Sequence, residues 1–522
     1  MRQWTAPVLR RANCSNYKSL IERARTVTRR HSTASAQVPA ESTTKHHKAA
    51  PASSPAASAA PKFASSSART TSSEGQSSQT RIDPYKILAP ELESLRNTLL
   101  HLLGSSHPSL TTIAQYYFLH PSKQLRPLLV LLFANATNGL GGDWGEKRWA
   151  AEQEGARGRT EELDSPLSRP EVLNDWNPNM PDSTRSFGNV FDLPPPRQPT
   201  STPVYTPSPS SSLFDPTLAS PSFILPTQKR LAQIVEMIHV ASLLHDDVID
   251  ASPLRRGVAS APAAFGNKLS VLAGDFLLGR ASAALSRLGN SEVVELIASV
   301  IANLVEGEIL QMQQVRAQEV GKGELGIGVS FAIQEGVIGK DDIVGAAGGK
   351  GREGRVSKEM WNVYLKKTYL KTASLMAKGA RASVVLGGSR EGEIWKEVAY
   401  AYGRNLGIAF QLVDDILDYE AGESTLGKPG GADLRLGLAT GPALFAWEEH
   451  SAMGPLIERK FEQEGDVELA RDFVRRSAGV ERTRDLARAH AEKARELVRL
   501  LPESDARAAL ELLTERVIKR TW

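Results

Sequence analysis

Two stretches put carboxylates where a helix gains nothing from them. Leu243-Leu-His-Asp-Asp-Val-Ile-Asp250 and Gln411-Leu-Val-Asp-Asp-Ile-Leu-Asp418 each finish an apolar helical run with the pattern D-D-x-x-D. On a helix Asp246 and Asp250 share a face, as do Asp414 and Asp418. Like charges at that spacing repel, and acids at a helix C-terminus oppose the macrodipole, so such pairs are costly unless a cation sits between them. Hard divalent cations want carboxylate oxygens, and Mg2+ is commonly held by a few carboxylates together with substrate phosphates. Two such faces would clamp a diphosphate through bridging metal. One copy alone reads equally well as a solvated acidic helix end. Two copies, each behind core-type apolar residues, weigh against that reading.

Cations to complement such an anion are scattered along the chain. Arg255-Arg256-Gly257 follows Asp250 on a turn opened by Ser252-Pro253, and Lys123-Gln-Leu-Arg126-Pro127 precedes an apolar helix. Lys371-Thr372 lies inside a helical run, and Lys428 sits in Gly427-Lys-Pro-Gly-Gly431, a loop whose backbone can approach an anion closely. His239 precedes Asp246 by two turns and shares its face. Each basic residue alone is an ordinary surface charge. Together they supply a phosphate-binding counterpart to the acidic motifs.

The elements that must carry these groups are helical. Leu88, Leu92, Leu95, Leu99 and Leu102 recur at spacings of three and four from Asp83 onward. Similar periodicity runs through Leu231 to Asp250, Leu269 to Leu288, Val293 to Gln314, Trp361 to Leu386, Ile394 to Tyr419 and Glu481 to Val517. Strand-like alternation is absent, so the expected fold class is all-α, a bundle of many helices. Residues 139–226, rich in Gly, Pro, Ser and Asp, and 321–354, rich in Gly, read as disordered insertions into a domain spanning 83–522.

Charge is distributed unevenly. Of 63 Lys and Arg against 59 Asp and Glu, residues 1–83 hold 13 and 4, which leaves the rest of the chain at −5 and argues against nucleic acid as a partner. In residues 1–35 Arg2, Arg10, Arg11, Arg23, Arg25, Arg29 and Arg30 face a single acid, Glu22. That is the composition of a mitochondrial targeting presequence, and residues 36–82, rich in Ala, Ser, Pro and Thr, read as a disordered linker behind it. The lone Cys14 excludes a disulfide, a thiolate nucleophile or a cysteine-bound zinc from the domain. No uninterrupted apolar run is long enough to span a bilayer, so any membrane contact is expected to be peripheral.

From Asp83 to Trp522, apart from the two insertions, the sequence resembles the trans-polyprenyl diphosphate synthases. Leu243 to Gly257 is similar to their first aspartate-rich motif with its Arg-Arg-Gly extension, and Gln411 to Asp418 to their second. Gly266-Asn267-Lys268 with Leu272 to Asp275, Gly307-Glu308-x-x-Gln311, Lys371-Thr372 and Gly427 to Asp433 also stand where that family has them. One departure is Pro121-Ser122-Lys123-Gln124-Leu125-Arg126-Pro127, which keeps a Lys and the last Arg of the usual Gly-Gly-Lys-Arg-x-Arg-Pro and loses both glycines.

The resemblance implies an isoprenoid-synthase-type bundle with a central cavity. It also implies that Asp246, Asp247, Asp250, Asp414, Asp415 and Asp418 bind Mg2+, and that Arg255, Lys371, Thr372, Gln411 and Lys428 contact an allylic diphosphate. Lys123, Arg126, His239 and Arg256 would hold isopentenyl diphosphate. Ionisation of the allylic C–O bond and attack by the isopentenyl double bond need no enzyme nucleophile. Ala241 and Ser242, small residues one turn before Asp246, leave room for a growing tail, and a turn of ~5.4 Å per isoprene unit suggests a product of roughly six to ten units. Such a chain in a mitochondrial enzyme points to the ubiquinone side chain. The expected setting is the matrix, where the protein could lie against the inner membrane, as a homodimer or with another synthase subunit. A non-catalytic partner subunit is the competing reading, and the intact motifs oppose it.

Overall fold

The computed structural model describes residues 82–103, 107–120, 122–156, 223–316, 356–420 and 431–520. The presequence and linker readings, the 321–354 insertion and Lys428 lie outside these residues. In chain order the longer helices are α1 (Ala89–Leu102), α2 (Pro108–Leu119), α3 (Leu125–Thr137), α4 (Trp144–Ala156) and α5 (Pro226–Ile249). A two-residue hairpin follows, β1 (Leu254–Arg255) and β2 (Val258–Ala259), then α6 (Asn267–Ser286), α7 (Ser291–Arg316) and α8 (Lys358–Thr368). A π-helical stretch, Tyr369–Ala373, joins α8 to α9 (Ser374–Leu386). The remainder is α10 (Trp395–Glu420), α11 (Gly441–Glu449), α12 (Asp466–Arg476), α13 (Gly479–Val498) and α14 (Asp505–Lys519).

The expected all-α bundle is what forms, with three local differences. Helix α4 falls inside the 139–226 stretch, because Trp144 to Ala156 contains no proline and ample Ala and Glu, good helix formers. The Glu481–Val517 run divides into α13 and α14 around Leu501-Pro502, where the proline cannot continue the helix. Helix α6 is the one described helix long and apolar enough to cross a membrane by length and composition. Lys268, Asp275 and Arg280 interrupt it, and it packs against α5.

Helices buried nearly all round mark the centre. Leu128 to Ala134 on α3 and Leu231 to Ile238 on α5 are all enclosed, and α9 packs on α3, α5, α7 and α10. Gln228 ties these helices together, bridging Asn138 at 2.8 Å and the Ser383 carbonyl at 3.0 Å, and the Ser383 hydroxyl donates to the Val130 carbonyl at 2.8 Å. Each acidic motif thus ends a helix whose preceding turns are fixed in the core.

Small residues set the approach of α10 to the π stretch. A Cβ on Gly407 would lie 2.5 Å from Ala373 Cα, and one on Gly403 2.7 Å from Ala377 Cα. This spacing brings Gln411 and Asp415, one and two turns further along α10, beside Thr372. Gly407→Ala is expected to cost about 1–3 kcal/mol through overpacking, read from the urea midpoint. An unchanged midpoint would show that the helices can part without penalty.

Candidate active site

The first motif closes α5, and its three aspartates have different environments. Asp247 is fully buried: Arg255 grips it with Nε at 2.8 and 2.7 Å and Nη2 at 2.6 Å, and the Tyr117 hydroxyl donates to its other side. Tyr117 in turn accepts from the Ala261 N–H at 2.8 Å. The arginine arrives through the hairpin, whose turn residues Arg256 and Gly257 have φ of 53° and 78°, the left-handed pair a two-residue hairpin turn requires. Both oxygens of Asp247 are therefore engaged within the protein, where they fix Arg255. Burial pushes Asp246 up to about 6, against the opposing pull of Lys371.

Lys371 lies on the π stretch, an arrangement that local sequence does not signal. Its ammonium donates to Glu308 and, at 3.1 Å, to Gln311, both on α7. Burial works against its charge, but Asp246, Glu308 and Asp250 outweigh that and raise its pKa. The neighbouring Thr372 turns to the other motif, donating to Gln411 at 2.8 Å, and Gln411 donates to Asp415 at 2.9 Å. Consecutive residues of one π turn thus reach both acidic sites.

The second motif closes α10 and repeats the logic of the first. Asp415 is buried, accepts from the Tyr364 hydroxyl at 2.5 Å, and is pushed up to about 6 by burial. Asp418 accepts the N–H groups of Ala432 and Asp433 at 3.0 and 3.2 Å. Asp433 itself is pushed up to about 8, by burial and then by Asp418 and Asp415. Asp414 pairs with Arg520 at 2.5 Å, and Arg520 also lies 3.7 Å above the Phe410 ring. Sequence reasoning assigned no role to Tyr117, Tyr364, Glu236, Lys367 or Arg520. Asp433, Glu308 and Gln311 stood within quoted motifs.

The basic residues gather beside these acids. Gln124, at φ 44°, turns the chain into α3 and places Arg126 Nη1 3.1 Å from His239 Nε2. Burial and then Arg126 and Arg256 depress His239 well below the ordinary histidine value, so it is neutral at pH 7. Glu236, one turn before it and also buried, faces Arg126 and Arg256. A cavity of about 400 Å³ opens here, lined by Arg255, Arg256, Gln124, Val240 and Leu243 among others. Those two apolar residues form part of its wall, whereas Ala241 is buried within the core cluster and the Ser242 hydroxyl returns to the His239 carbonyl at 2.8 Å.

Among the described residues no three His, Cys, Asp or Glu side chains converge to hold an ion unaided. The donor set nevertheless fits a hard cation bound jointly with phosphate: oxygen ligands only, with Asp246, Asp414, Asp415 and Asp433 all raised by burial.

With divalent cations chelated at pH 7, Asp246→Asn and Asp247→Asn are expected to shift stability in opposite directions. Folding raises the Asp246 pKa, so its charge opposes the fold above that value, and the amide adds up to about 3 kcal/mol. Asp247→Asn strands a buried guanidinium and costs about 3–5 kcal/mol. Urea unfolding of the two variants checks both signs; a loss of the same size in each would refute the distinction.

Comparison with known proteins agrees with this geometry. The family model described as polyprenyl synthetase matches residues 216–324 and 346–474. A protein of Neurospora crassa named as a probable mitochondrial hexaprenyl pyrophosphate synthase is 43% identical over 453 residues, 87% of this chain and 85% of that one. The mitochondrial hexaprenyl pyrophosphate synthase of Saccharomyces cerevisiae is 39% identical, over 84% of this chain and 90% of its own. A crystal structure of polyprenyl synthase from Caulobacter crescentus, complexed with calcium and isoprenyl diphosphate, superposes with a TM-score of 0.55 at 25% identity, covering 84% of this chain and 97% of that one. Two acid-tipped helices with basic side chains gathered beside them, in a chain this similar to such proteins over most of its length, have one reading: the chain belongs to the polyprenyl synthetase family and is a prenyltransferase.

Proposed function

We propose that the protein is a long-chain trans-polyprenyl diphosphate synthase that adds isopentenyl diphosphate units to an allylic diphosphate and supplies the ubiquinone side chain. The observation that carries this is the pairing of two acidic motifs with a separate basic cavity beside them, which provides for two diphosphates at once. Bound Mg2+, which Asp246, Asp247, Asp250, Asp414, Asp415 and Asp418 would hold, would neutralise the allylic diphosphate as it leaves. Lys371, kept charged by Glu308, and Arg255, held by Asp247, face the same leaving group. The Thr372 and Gln411 side chains join them, and Lys428 does so from outside the described residues.

Arg126, Arg256, neutral His239 and exposed Lys123 hold the second diphosphate, so that the isopentenyl double bond attacks the allylic carbon as its C–O bond breaks. The proton then lost passes to the released diphosphate. Apolar walls such as Val240 and Leu243 keep water from the cation. Exposed Leu269 and Leu272 on α6 and Val305 and Ile309 on α7 suit assembly with a second copy or a related subunit. The domain division at residue 83, with a presequence in 1–35 and insertions at about 139–226 and 321–354, belongs to the same reading, as does placement in the mitochondrial matrix.

The full chain given Mg2+, labelled isopentenyl diphosphate and farnesyl diphosphate should yield a ladder ending at one long polyprenol. Chelation and Asp246→Ala should each abolish it, and Ala241→Phe should shorten it if that position bounds the tail. Absence of incorporation by folded protein, restored only by a second cellular component, would favour the partner-subunit reading. Residues 1–35 fused to a cytosolic reporter should carry it into mitochondria; a reporter left in the cytosol would overturn the proposed address.

A further inference from the structure

Helix α1 brings to the basic cavity a cation that belongs to none of the motifs. Leu92, Arg96 and Leu99 follow one another at spacings of four and three, so they share a face of α1, and all three line the 400 Å³ cavity that also holds Arg256. Leu92 and Leu99 are 8% and 1% exposed. Arg96 is itself exposed and flanks the inward stripe of Leu92, Leu95 and Leu99, so it stands at the open rim of the cavity.

Its geometry suits an anion. Arg96 Nη2 donates to the Leu119 carbonyl at 3.1 Å, which steadies the guanidinium at the end of α2. Arg255, on the same wall, is held by Asp247 toward the allylic diphosphate in the reading above, which leaves Arg256 and Arg96 as the other arginines lining this cavity. Glu236 faces Arg256 and Arg126 from its buried position. A guanidinium presents several donors in one plane and matches phosphate oxygens better than a single ammonium does.

We propose that Arg96 is a substrate-binding residue for the isopentenyl diphosphate, contacting its diphosphate from α1. This rests on the two-diphosphate reading above. The test measures KM for isopentenyl diphosphate and for farnesyl diphosphate on the full chain, with thermal midpoints alongside. Arg96→Gln should raise KM for isopentenyl diphosphate about tenfold or more while leaving the farnesyl value and the midpoint in place, and Arg96→Lys should recover part of the loss. Glu93→Gln removes a carboxylate that lines the same cavity and should shift the isopentenyl KM the other way. An unchanged isopentenyl KM in Arg96→Gln overturns the proposal and leaves the synthase reading intact. So does a rise in both KM values together with a lowered midpoint, which would assign Arg96 to holding α2. A wild-type chain that incorporates no isopentenyl units, alone or with added cellular components, would remove the underlying reading as well.

Discussion

The structure is organised around the cost of burying carboxylates. An isolated ionised acid in a protein interior loses hydration worth far more than a typical domain's net stability, so it must find donors, find a cation or take up a proton. This protein gathers Asp246, Asp247, Asp414, Asp415, Asp418 and Asp433 into two clusters and treats them differently. Some are satisfied within the fold. Others are raised in pKa because burial outweighs the cations and donors around them.

The division follows position within each motif. The middle aspartate, Asp247 or Asp415, is buried and takes a tyrosine hydroxyl from another helix, Tyr117 or Tyr364. These two anchor the helix ends, Asp247 holding Arg255 and Asp415 accepting from Gln411. The π stretch joins the halves, since Lys371 and Thr372 are adjacent in sequence and turn to opposite motifs. An α-helical continuation would point consecutive side chains about 100° apart but would not widen the turn between them. Gly403 and Gly407 let α10 approach closely enough for that link to form.

Much of this was legible in the sequence because its cost is local. Like charges four apart on an apolar helix announce themselves, and so do leucines at spacings of three and four in α1. Which aspartate is fully enclosed could not be told from the sequence, since Asp246 and Asp247 are chemically identical and only the tertiary partners Tyr117 and Arg255 separate them. Arg520 carried no signal at all: its meaning lies in Asp414, reached only when α14 packs beside α10. The π turn was hidden for a related reason, because the hydrogen-bond slip that makes it depends on neighbours rather than on Tyr369 to Ala373 themselves. Arg96 was visible only as a charge in a leucine pattern until the cavity gave that face a purpose.

Arg520 and Arg516 also carry a consequence for how the molecule comes into being. Arg516 on α14 bonds Asp83, 433 positions earlier, at 3.0 Å, and Arg520 donates to the Phe410 carbonyl, 110 positions back, at 2.6 Å. Contacts of such sequence separation form late, because a large loop must close before they repay its entropy. A ribosome delivers α14 after every other described element. The second acidic cluster therefore gains Arg520, and Asp83 gains Arg516, only once α14 has been made and has docked beside α10.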